Sequence, residues 1–287
     1  MNYRIVADSS SNVLHVDGVN YSTVPLKIVA GDQEFVDNQT LNLQNMVDYL
    51  KTYKGKSGTS CPNVQEWLEA FGDADCVFGI TITKHLSGSY NAAQQAAQIF
   101  AEEHPDKKVF IIDSLSAGPE MMMIVDKIKE CIDAGDDFET VKKKALDYSN
   151  HNHTLFCLRS MNNLARNGRV HPAVAKIAGM LNIRAVGDVK GGEITPVHKP
   201  RGDKKATEAL VEMVKERGFF DGAILRIAHC FGEIHAKTFA DAVLAEFPNA
   251  KVIIEPTGAL CSFYAEEGGL MIGFQGSFNE NNDNRKF

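Results

Sequence analysis

Residues 76–118 read CVFGITITKHLSGSYNAAQQAAQIFAEEHPDKKVFIIDSLSAG, and this stretch decides the fold. It begins with an apolar run of strand length and continues with a long helix rich in Ala and Gln. It then reaches a second apolar strand at 108–113. A strand, a helix and a strand in this order indicate a parallel sheet with helices on both faces.

The same pattern extends in both directions from this unit. YRIVAD (3–8) reads as a strand, VQEWLEAFG (64–72) as a short helix, and 119–134 as a mostly apolar helix. Between the first two, YSTVPLKIVA (21–30) shows an apolar alternation that leads into a short hairpin. We therefore predict an N-terminal parallel-sheet α/β domain over residues 1–150.

The second half mixes strands with amphipathic helices. FETVKKKALDYS (138–149) reads as a helix that joins the two halves, and HPAVAKIAGML (171–181) as a further helix. Gly191-Gly192 marks the turn of a β-hairpin. These patterns predict a C-terminal α+β domain over residues 151–287, with a polar, frayed tail from Asn279.

Composition limits the possible functions. The chain of 287 residues has a net charge of −7, which argues against a nucleic-acid partner and leaves room only for a local basic patch. Its six cysteines have neither zinc-knuckle nor CxxC spacing and are expected to be reduced thiols. No apolar run approaches the roughly 20 residues of a membrane helix. With no signal peptide evident, we expect a cytoplasmic protein with at most transient membrane contact.

Three predicted strands end in small polar residues: DSSS (8–11), TKHLSGS (83–89) and DSLSAG (113–118). Ligands of open parallel sheets bind beyond the carboxyl ends of the strands. Ser87-Gly88-Ser89 also precedes a helix, where free N–H groups and the helix dipole favour an anion. Because Lys84 is the only cation in this loop, the loop suits a carboxylate better than a phosphate.

SGTSCPN (57–63) allows three interpretations: a cysteine nucleophile, a phosphate loop, or the start of a helix. Asn63 and Glu66 resemble a capping box, which favours the helix start. A cap uses only Asn63, however, and leaves the hydroxyls and the thiol of TSC (59–61) without a role. This corner and the Ser87 corner are expected to face the same crevice, which strengthens the prediction of an anion site.

A catalytic interpretation of Cys61 competes with the anion site. A cysteine nucleophile needs a nearby base, which His85, His198 or His229 would have to supply. Nothing in the sequence pairs any of these histidines with the thiol.

Three other groups of residues also have a functional and a structural interpretation. Asp8 and Asp113 could form an acid–base pair, although an Asp at a strand end more often caps the next turn. His151 and His153 have metal-ligand spacing without a third ligand, which fits a solvated loop better, so no metal site is predicted. Residues 121–123, three methionines, suit a lipid tunnel and a helix core equally well.

Seven short motifs occur along the chain in a specific order. They are DSSS (8–11), TSCP (59–62), LSGSYNAAQQAA (86–97), IIDSLSAG (111–118), ARNGRV (165–170), KPRGDKKA (199–206) and GGLMIGF (268–274). In this order they resemble the DegV family of bacterial fatty-acid-binding proteins. No single motif is unique to the family, but their ordered combination is specific, and the resemblance runs from Asp8 to about Phe274.

The resemblance implies a two-domain α/β protein that buries one long-chain fatty acid between its domains. The acyl tail would occupy an apolar tunnel and the carboxylate a polar pocket, with no catalytic residue and no cofactor other than the bound ligand. Some members of the family present the carboxylate to a fatty-acid kinase, which makes an acyl-phosphate for phospholipid synthesis. A fatty-acid kinase is therefore a possible partner of this chain.

The resemblance also implies roles for particular residues. The carboxylate contacts of the family match Thr59 of TSCP and Ser87 of LSGS, with Ser60 and Gly88 beside them. Two arginines match positions that lie at the partner or phosphate face in kinase-partnered members. These are Arg169, where Asn167 replaces one glycine of the family pattern, and Arg201.

One segment departs from the family pattern. Members often have a His near the C-terminus, in a THxGxG-like segment close to the carboxylate, where this chain reads CSFYAEEGG (261–269). Tyr264 and Ser262 supply the nearest hydroxyls and are the candidates to replace that His.

Two classes of function therefore compete. One is a carrier that binds a fatty acid without chemistry, and the other is a small-molecule acyl-transfer or phosphotransfer enzyme that uses Cys61 or Asp8. A fatty acid that co-purifies with the protein would distinguish the first from the second.

Overall fold

The computed structural model describes residues 2–178 and 182–280. Its strands are β1 Tyr3–Asp8, β2 Asn20–Val24, β3 Lys27–Ala30, β4 Gln33–Val36, β5 Ser57–Ser60, β6 Cys76–Thr81, β7 Lys108–Asp113, β8 Asn152–Leu158, β9 Ala185–Lys190, β10 Glu193–His198, β11 Ile224–His229, β12 Lys251–Pro256 and β13 Leu270–Gln275. Its helices are α1 Leu43–Thr52, α2 Val64–Phe71, α3 Ser89–Glu103, α4 Pro119–Asp133, α5 Phe138–Ser149, α6 Asn162–Arg166, α7 Pro172–Ala178, α8 Asp203–Glu216, α9 Glu233–Glu246 and α10 Ala259–Ala265. The predicted helix end at 179–181 and the tail at 281–287 lie outside the described residues.

The N-terminal sheet has the strand order β2-β1-β6-β7 and is parallel throughout. Side chains alternate between its faces, so that Val77 packs under α2 and α3 while Phe78 packs under α4 and α5. Helix α2 begins with the predicted capping box between Asn63 and Glu66. The predicted parallel α/β sheet with helices on both faces is therefore confirmed.

The C-terminal sheet has the order β10-β9-β8-β13-β11-β12, and only the β11–β12 pair is parallel. One face buries residues such as Leu155 and Ile272 beneath α8 and α9. The other face turns toward the N-terminal half, where the backbone at Gly273 lies against Pro119 and Glu120 of α4. This arrangement confirms the predicted α+β character of the second half.

A third, small sheet of order β4-β3-β5 corrects the interpretation of two stretches. SGTS (57–60) is the edge strand β5, paired antiparallel with β3 so that Thr59 lies opposite Ile28, whereas the sequence indicated only a loop before a helix. YSTVPLKIVA (21–30) divides between β2 and β3. The division falls at Pro25, which has no N–H to donate to a sheet.

Helix α10 was not predicted from the sequence. Its first backbone N–H groups, of Ala259 and Leu260, donate to the buried carboxylate of Asp37 at 2.8 and 3.1 Å. The helix packs against Ile28 and Met46, so that a segment of the second half covers the small sheet of the first half. A domain boundary at residue 150 stays a prediction, and it falls between the end of α5 and the start of β8.

The prediction of a frayed chain from Asn279 was wrong at that residue. Asn279 is buried, its backbone N–H donates to the Asn150 carbonyl at 2.7 Å, and its side-chain amide donates to the Asn152 carbonyl at 3.0 Å. These hydrogen bonds hold the chain against the start of β8.

Candidate functional site

Asp8 ties together the loops at the carboxyl edge of the N-terminal sheet. Its buried carboxylate accepts hydrogen bonds from the Ile82 N–H at 2.9 Å and from the Ser89 hydroxyl at 2.7 Å, and also from the N–H and hydroxyl of Ser10. Burial raises the pKa of Asp8 to about 6, and these hydrogen bonds oppose the rise. Asp8 therefore caps the turn after β1, the structural role that the sequence favoured.

A cavity of about 810 Å³, counting the space at its opening to solvent, lies between this edge, β5, α10 and the inner face of the C-terminal sheet. Most of the lining is aliphatic or aromatic, with Leu26 from the β2–β3 connection, Phe156 from β8 and Met271 from β13. The polar lining residues are Thr59, Ser87, Ser116, Thr154, Arg169 and Tyr264.

Four of these polar residues form one group, which we call the polar corner: Thr59, Ser87, Arg169 and Tyr264. The Thr59 hydroxyl lies 2.8 Å from the Tyr264 hydroxyl, and the Arg169 guanidinium lies 6.0 Å from the centre of the Tyr264 ring. Arg169 Nε donates to the Leu86 carbonyl at 3.2 Å, next to Ser87. The corner thus joins residues from β5, the β6–α3 loop, the segment after α6, and α10.

The polar corner provides hydrogen-bond donors and one positive charge in a largely apolar cavity. Burial raises the pKa of Tyr264, while the Thr59 hydrogen bond and the Arg169 charge oppose the rise. The phenol therefore remains a neutral donor at physiological pH. A cation together with hydroxyl donors at one end of an apolar cavity suits an amphipathic anion.

The end of β5 at Ser60 and the loop of Gly88 meet at the rim of the cavity. A side chain at Gly88 would come within 3.1 Å of the Cys61 sulfur, so glycine permits the contact. Ser60, Cys61 and Gly88 are exposed, and none of them is in the cavity lining. The Ser87 hydroxyl accepts from the Ser89 N–H at 3.2 Å, at the start of α3.

The two candidates for the place of the family histidine, Tyr264 and Ser262, take different positions. Tyr264 lines the cavity, whereas the buried Ser262 hydroxyl lies 2.7 Å from the Thr257 hydroxyl and outside the lining. One face of the short helix α10 therefore points to the cavity and the other to the protein interior.

The two predicted arginines also differ in position. Arg169 lines the cavity, whereas Arg201 is exposed outside it.

The β9–β10 hairpin closes one side of the cavity. Val189 and Ile194 line it, and the hairpin tip touches the loop that follows β6. At Gly192, with φ of 90°, an added Cβ would lie 2.2 Å from the Thr83 hydroxyl and 2.9 Å from the His85 ring. The tip can therefore approach this loop only because the residue is glycine.

The histidines and methionines that the sequence analysis singled out have structural roles. His153 hydrogen-bonds the Ser277 carbonyl at 2.9 Å and His151 the Asp147 carbonyl at 3.0 Å. Over residues 2–178 and 182–280, no group of three or more His, Cys, Asp or Glu is placed to hold a metal ion. The methionines at 121–123 are buried and do not line the cavity, which favours the helix core.

Several features of the site have no signal in the sequence. They include Thr154 in the cavity wall and the capping of α10 by Asp37, whereas Ser116 belongs to the DSLSAG loop that the sequence analysis placed at the binding edge. The Gly191-Gly192 turn was recognised as a hairpin, but its contact with the β6–α3 loop depends on tertiary structure. In the described part of the chain, no helix is both long and apolar enough to cross a membrane.

The sequence model of the family described as "Uncharacterised protein, DegV family" matches residues 2–276. A DegV domain-containing protein of Streptococcus gordonii is 37% identical over 280 residues, which cover 96% of this chain and 99% of that protein. One from Streptococcus pneumoniae is 38% identical over 280 residues, with the same coverage.

Solved structures agree with these relatives. A DegV family protein of Eubacterium eligens loaded with heptadecanoic acid superposes with a TM-score of 0.93 at 37% identity, covering 96% of this chain and 100% of that one. The Fatty Acid Kinase (Fak) B3 protein of Streptococcus pneumoniae loaded with linoleic acid also gives 0.93, at 36% identity, with coverage of 96% and 99%.

Proposed function

This chain belongs to the DegV family, and from that premise we propose that it is a carrier that binds one long-chain fatty acid in the cavity. The acyl tail lies against the apolar wall, and the carboxylate lies at the polar corner. The heptadecanoic and linoleic acids carried by the two structural neighbours support this ligand class.

The observation that carries the proposal is the distribution of polarity in the cavity. Thr59, Ser87, Arg169 and Tyr264 form one corner, and aliphatic and aromatic side chains make up most of the remaining lining. Each buried CH₂ group contributes about 0.8 kcal/mol. A long acyl chain therefore supplies most of the affinity, and the corner orients the head group.

Within the corner, hydroxyls and one cation divide the recognition of the carboxylate. Thr59, Ser87 and Tyr264 are the proposed hydrogen-bond donors, and Arg169 supplies the compensating charge. Each hydrogen bond to a charged group contributes about 1.5–3 kcal/mol. Ser60 and Gly88 are proposed to support this arrangement from the rim, whereas the position of Ser262 gives it no direct contact with the head group.

A fatty-acid kinase is proposed as the partner of this carrier. The support comes from the name of the Streptococcus pneumoniae neighbour, Fatty Acid Kinase (Fak) B3 protein, and from the exposed Arg201 on the surface of this chain. In this proposal the kinase phosphorylates the carboxylate for phospholipid synthesis, which places the carrier in the cytoplasm. We also propose that the chain divides into two domains at residue 150.

The competing enzyme function has less support from the geometry. Cys61 is exposed on the rim beside Gly88, and Asp8 is engaged in hydrogen bonds that organise the loops. Neither residue lines the cavity. A ligand in the cavity therefore faces the polar corner and not the proposed nucleophile or base.

Native mass spectrometry of the purified protein tests the proposed function. We expect a bound mass of fatty-acid size, released on denaturation, and restored when delipidated protein is mixed with hexadecanoate. Thr59→Val should weaken hexadecanoate binding about 10-fold or more in a fluorescent-displacement titration. Thr52→Val, on the exposed surface of α1, is the matched control and should bind normally. Turnover of an acyl ester or acyl phosphate that stops in Cys61→Ser would refute the carrier function.

A further inference from the structure

Two hydroxyl groups lie in the cavity wall outside the polar corner. Ser116 is in the loop after β7, and Thr154 is on the inner face of β8. Thr154 precedes Leu158 by four residues on the same strand, which corresponds to roughly 13 Å. Leu158 belongs to the same hydrophobic cluster as Ala265, and Tyr264 of the corner packs against this cluster. Thr154 therefore lies farther along the tail than the head group.

Ser116 has a buried donor that the protein does not use. The residue is 1% exposed, and among the described residues its hydroxyl has no hydrogen-bond partner. Its backbone is fully engaged, because its N–H donates to the Ser114 hydroxyl at 3.1 Å and its carbonyl accepts from the Thr83 N–H at 2.9 Å. A plain methylene chain beside this hydroxyl would leave a buried donor unsatisfied, which is unfavourable.

The Thr154 hydroxyl offers a hydrogen-bond acceptor, which complements the Ser116 donor. Its hydroxyl donates to the carboxylate of Glu120 at 2.6 Å, and Glu120 is itself buried at the start of α4. Because the proton of Thr154 points to Glu120, the lone pairs of its oxygen remain available as acceptors. Ser116 and Glu120 belong to one segment, 116–120, whose Gly118 lies against the Met271 side chain of the cavity wall.

We infer that the cavity selects acyl chains that carry a hydroxyl group along the tail. A hydroxyl can accept from Ser116 and donate to Thr154, whereas a keto or ether oxygen can only accept. This inference rests on the proposed function and narrows its ligand class from fatty acids in general to hydroxy fatty acids. Ser116 and Thr154 are then specificity-determining residues, distinct from the four residues of the polar corner.

The test compares hexadecanoate with a series of hexadecanoic acids that each carry one hydroxyl at a different chain position. The delipidated full-length chain is titrated with each ligand. One position, or two adjacent positions, should bind at least as tightly as hexadecanoate, and the remaining positions should bind more weakly. In Ser116→Ala the affinity for the preferred isomer should fall about 10-fold, while hexadecanoate binds equally well or more tightly.

Ser262→Ala is the matched control, because it removes a buried serine hydroxyl that lies outside the cavity lining. It should leave the ranking of the isomers unchanged. Thr154→Val provides a second variant and should reduce the same preference; thermal melting of each variant confirms that it is folded. If Ser116→Ala does not fold, Ser116→Cys, of similar size and with a weaker donor, replaces it.

The possible outcomes separate this inference from the proposed function. If hexadecanoate binds but every hydroxy acid binds more weakly by the same factor in the native chain and in Ser116→Ala, the inference is refuted and the carrier function stands. Keto acids with the oxygen at the preferred position are titrated in the same way; if they bind as tightly as the matching hydroxy acids, the role of Thr154 as an acceptor is wrong. If neither hexadecanoate nor its derivatives bind, the proposed function itself fails.

Discussion

Tyr264→Phe isolates the contribution of the polar corner to carboxylate binding. The substitution removes one hydroxyl and retains the ring, which packs 4.9 Å from the Phe263 ring and beneath the Arg169 guanidinium. The Thr59 hydroxyl loses its partner at 2.8 Å but stays at the cavity surface. We therefore expect a loss of folding stability of only about 0.5–1.5 kcal/mol, the net value of an ordinary hydrogen bond.

The expected effect on binding is larger and depends on the head group. A hydrogen bond to a carboxylate contributes about 1.5–3 kcal/mol, so hexadecanoate should bind roughly 10- to 150-fold more weakly to the variant. Hexadecanol has the same tail without the charge and should lose less than about 3-fold. Because Thr59 and Tyr264 are in contact, Thr59→Val and Tyr264→Phe should be non-additive in a double-mutant cycle.

Displacement titrations with both ligands measure these differences, and Tyr148→Phe is the control. Tyr148 is a partly buried tyrosine outside the cavity lining, so its variant should bind both ligands normally. Hexadecanoate binding to the native chain should also stay constant between about pH 5.5 and 8. The pKa of Tyr264 is raised by burial, and no described lining residue is a histidine.

Equal losses for the acid and the alcohol in Tyr264→Phe would show that the ring and not the hydroxyl matters, and the assignment of the corner would be wrong. A binding transition near pH 6.5 would mean that a titrating group outside the corner takes part. The first residues to replace are His85 at the hairpin contact and Asp8, whose pKa is raised to about 6.

Four further predictions follow from the site and its supports. Affinity should rise steeply from octanoate to hexadecanoate, since each added CH₂ contributes about 0.8 kcal/mol; a flat profile in the same titration would indicate a small polar ligand. Gly192→Ala should speed fatty-acid release in stopped-flow displacement, because its Cβ would collide with the β6–α3 loop. Gly222→Ala has a nearly equal φ of 89° but open space, and should not change the release rate. Asp8, with a pKa raised from 3.8 to about 6, binds a proton more readily in the native state, so its contribution to stability should grow as pH falls from about 7 to 4. Chemical denaturation should show the native chain gaining about 2 kcal/mol relative to Asp8→Asn over that range, and an opposite slope would contradict the raised pKa. Cys61→Ser should bind hexadecanoate within about 2-fold of the native chain, because the exposed thiol lies outside the cavity lining; a large loss would place the thiol in the site.

The sequence by itself determined the features that depend on neighbouring residues. The alternation of apolar strands and helices in residues 76–118 predicted the parallel sheet, because burial on both faces imposes that pattern locally. The capping box of Asn63 and Glu66 and the turn role of Asp8 were also predicted correctly. Each is made by residues only two or three positions apart.

Only the tertiary structure decided which polar residues share the cavity. Thr59 and Tyr264 are 205 positions apart, and their contact exists because α10 packs against Ile28 of β3, the strand that pairs with β5. The N-terminus of this seven-residue helix is stabilised by Asp37, more than 220 positions earlier, so that no local pattern marks it as a helix. Once α10 is formed, its 3.6-residue period places Tyr264 in the cavity and Ser262 in the interior, a distinction that a list of hydroxyl residues does not contain.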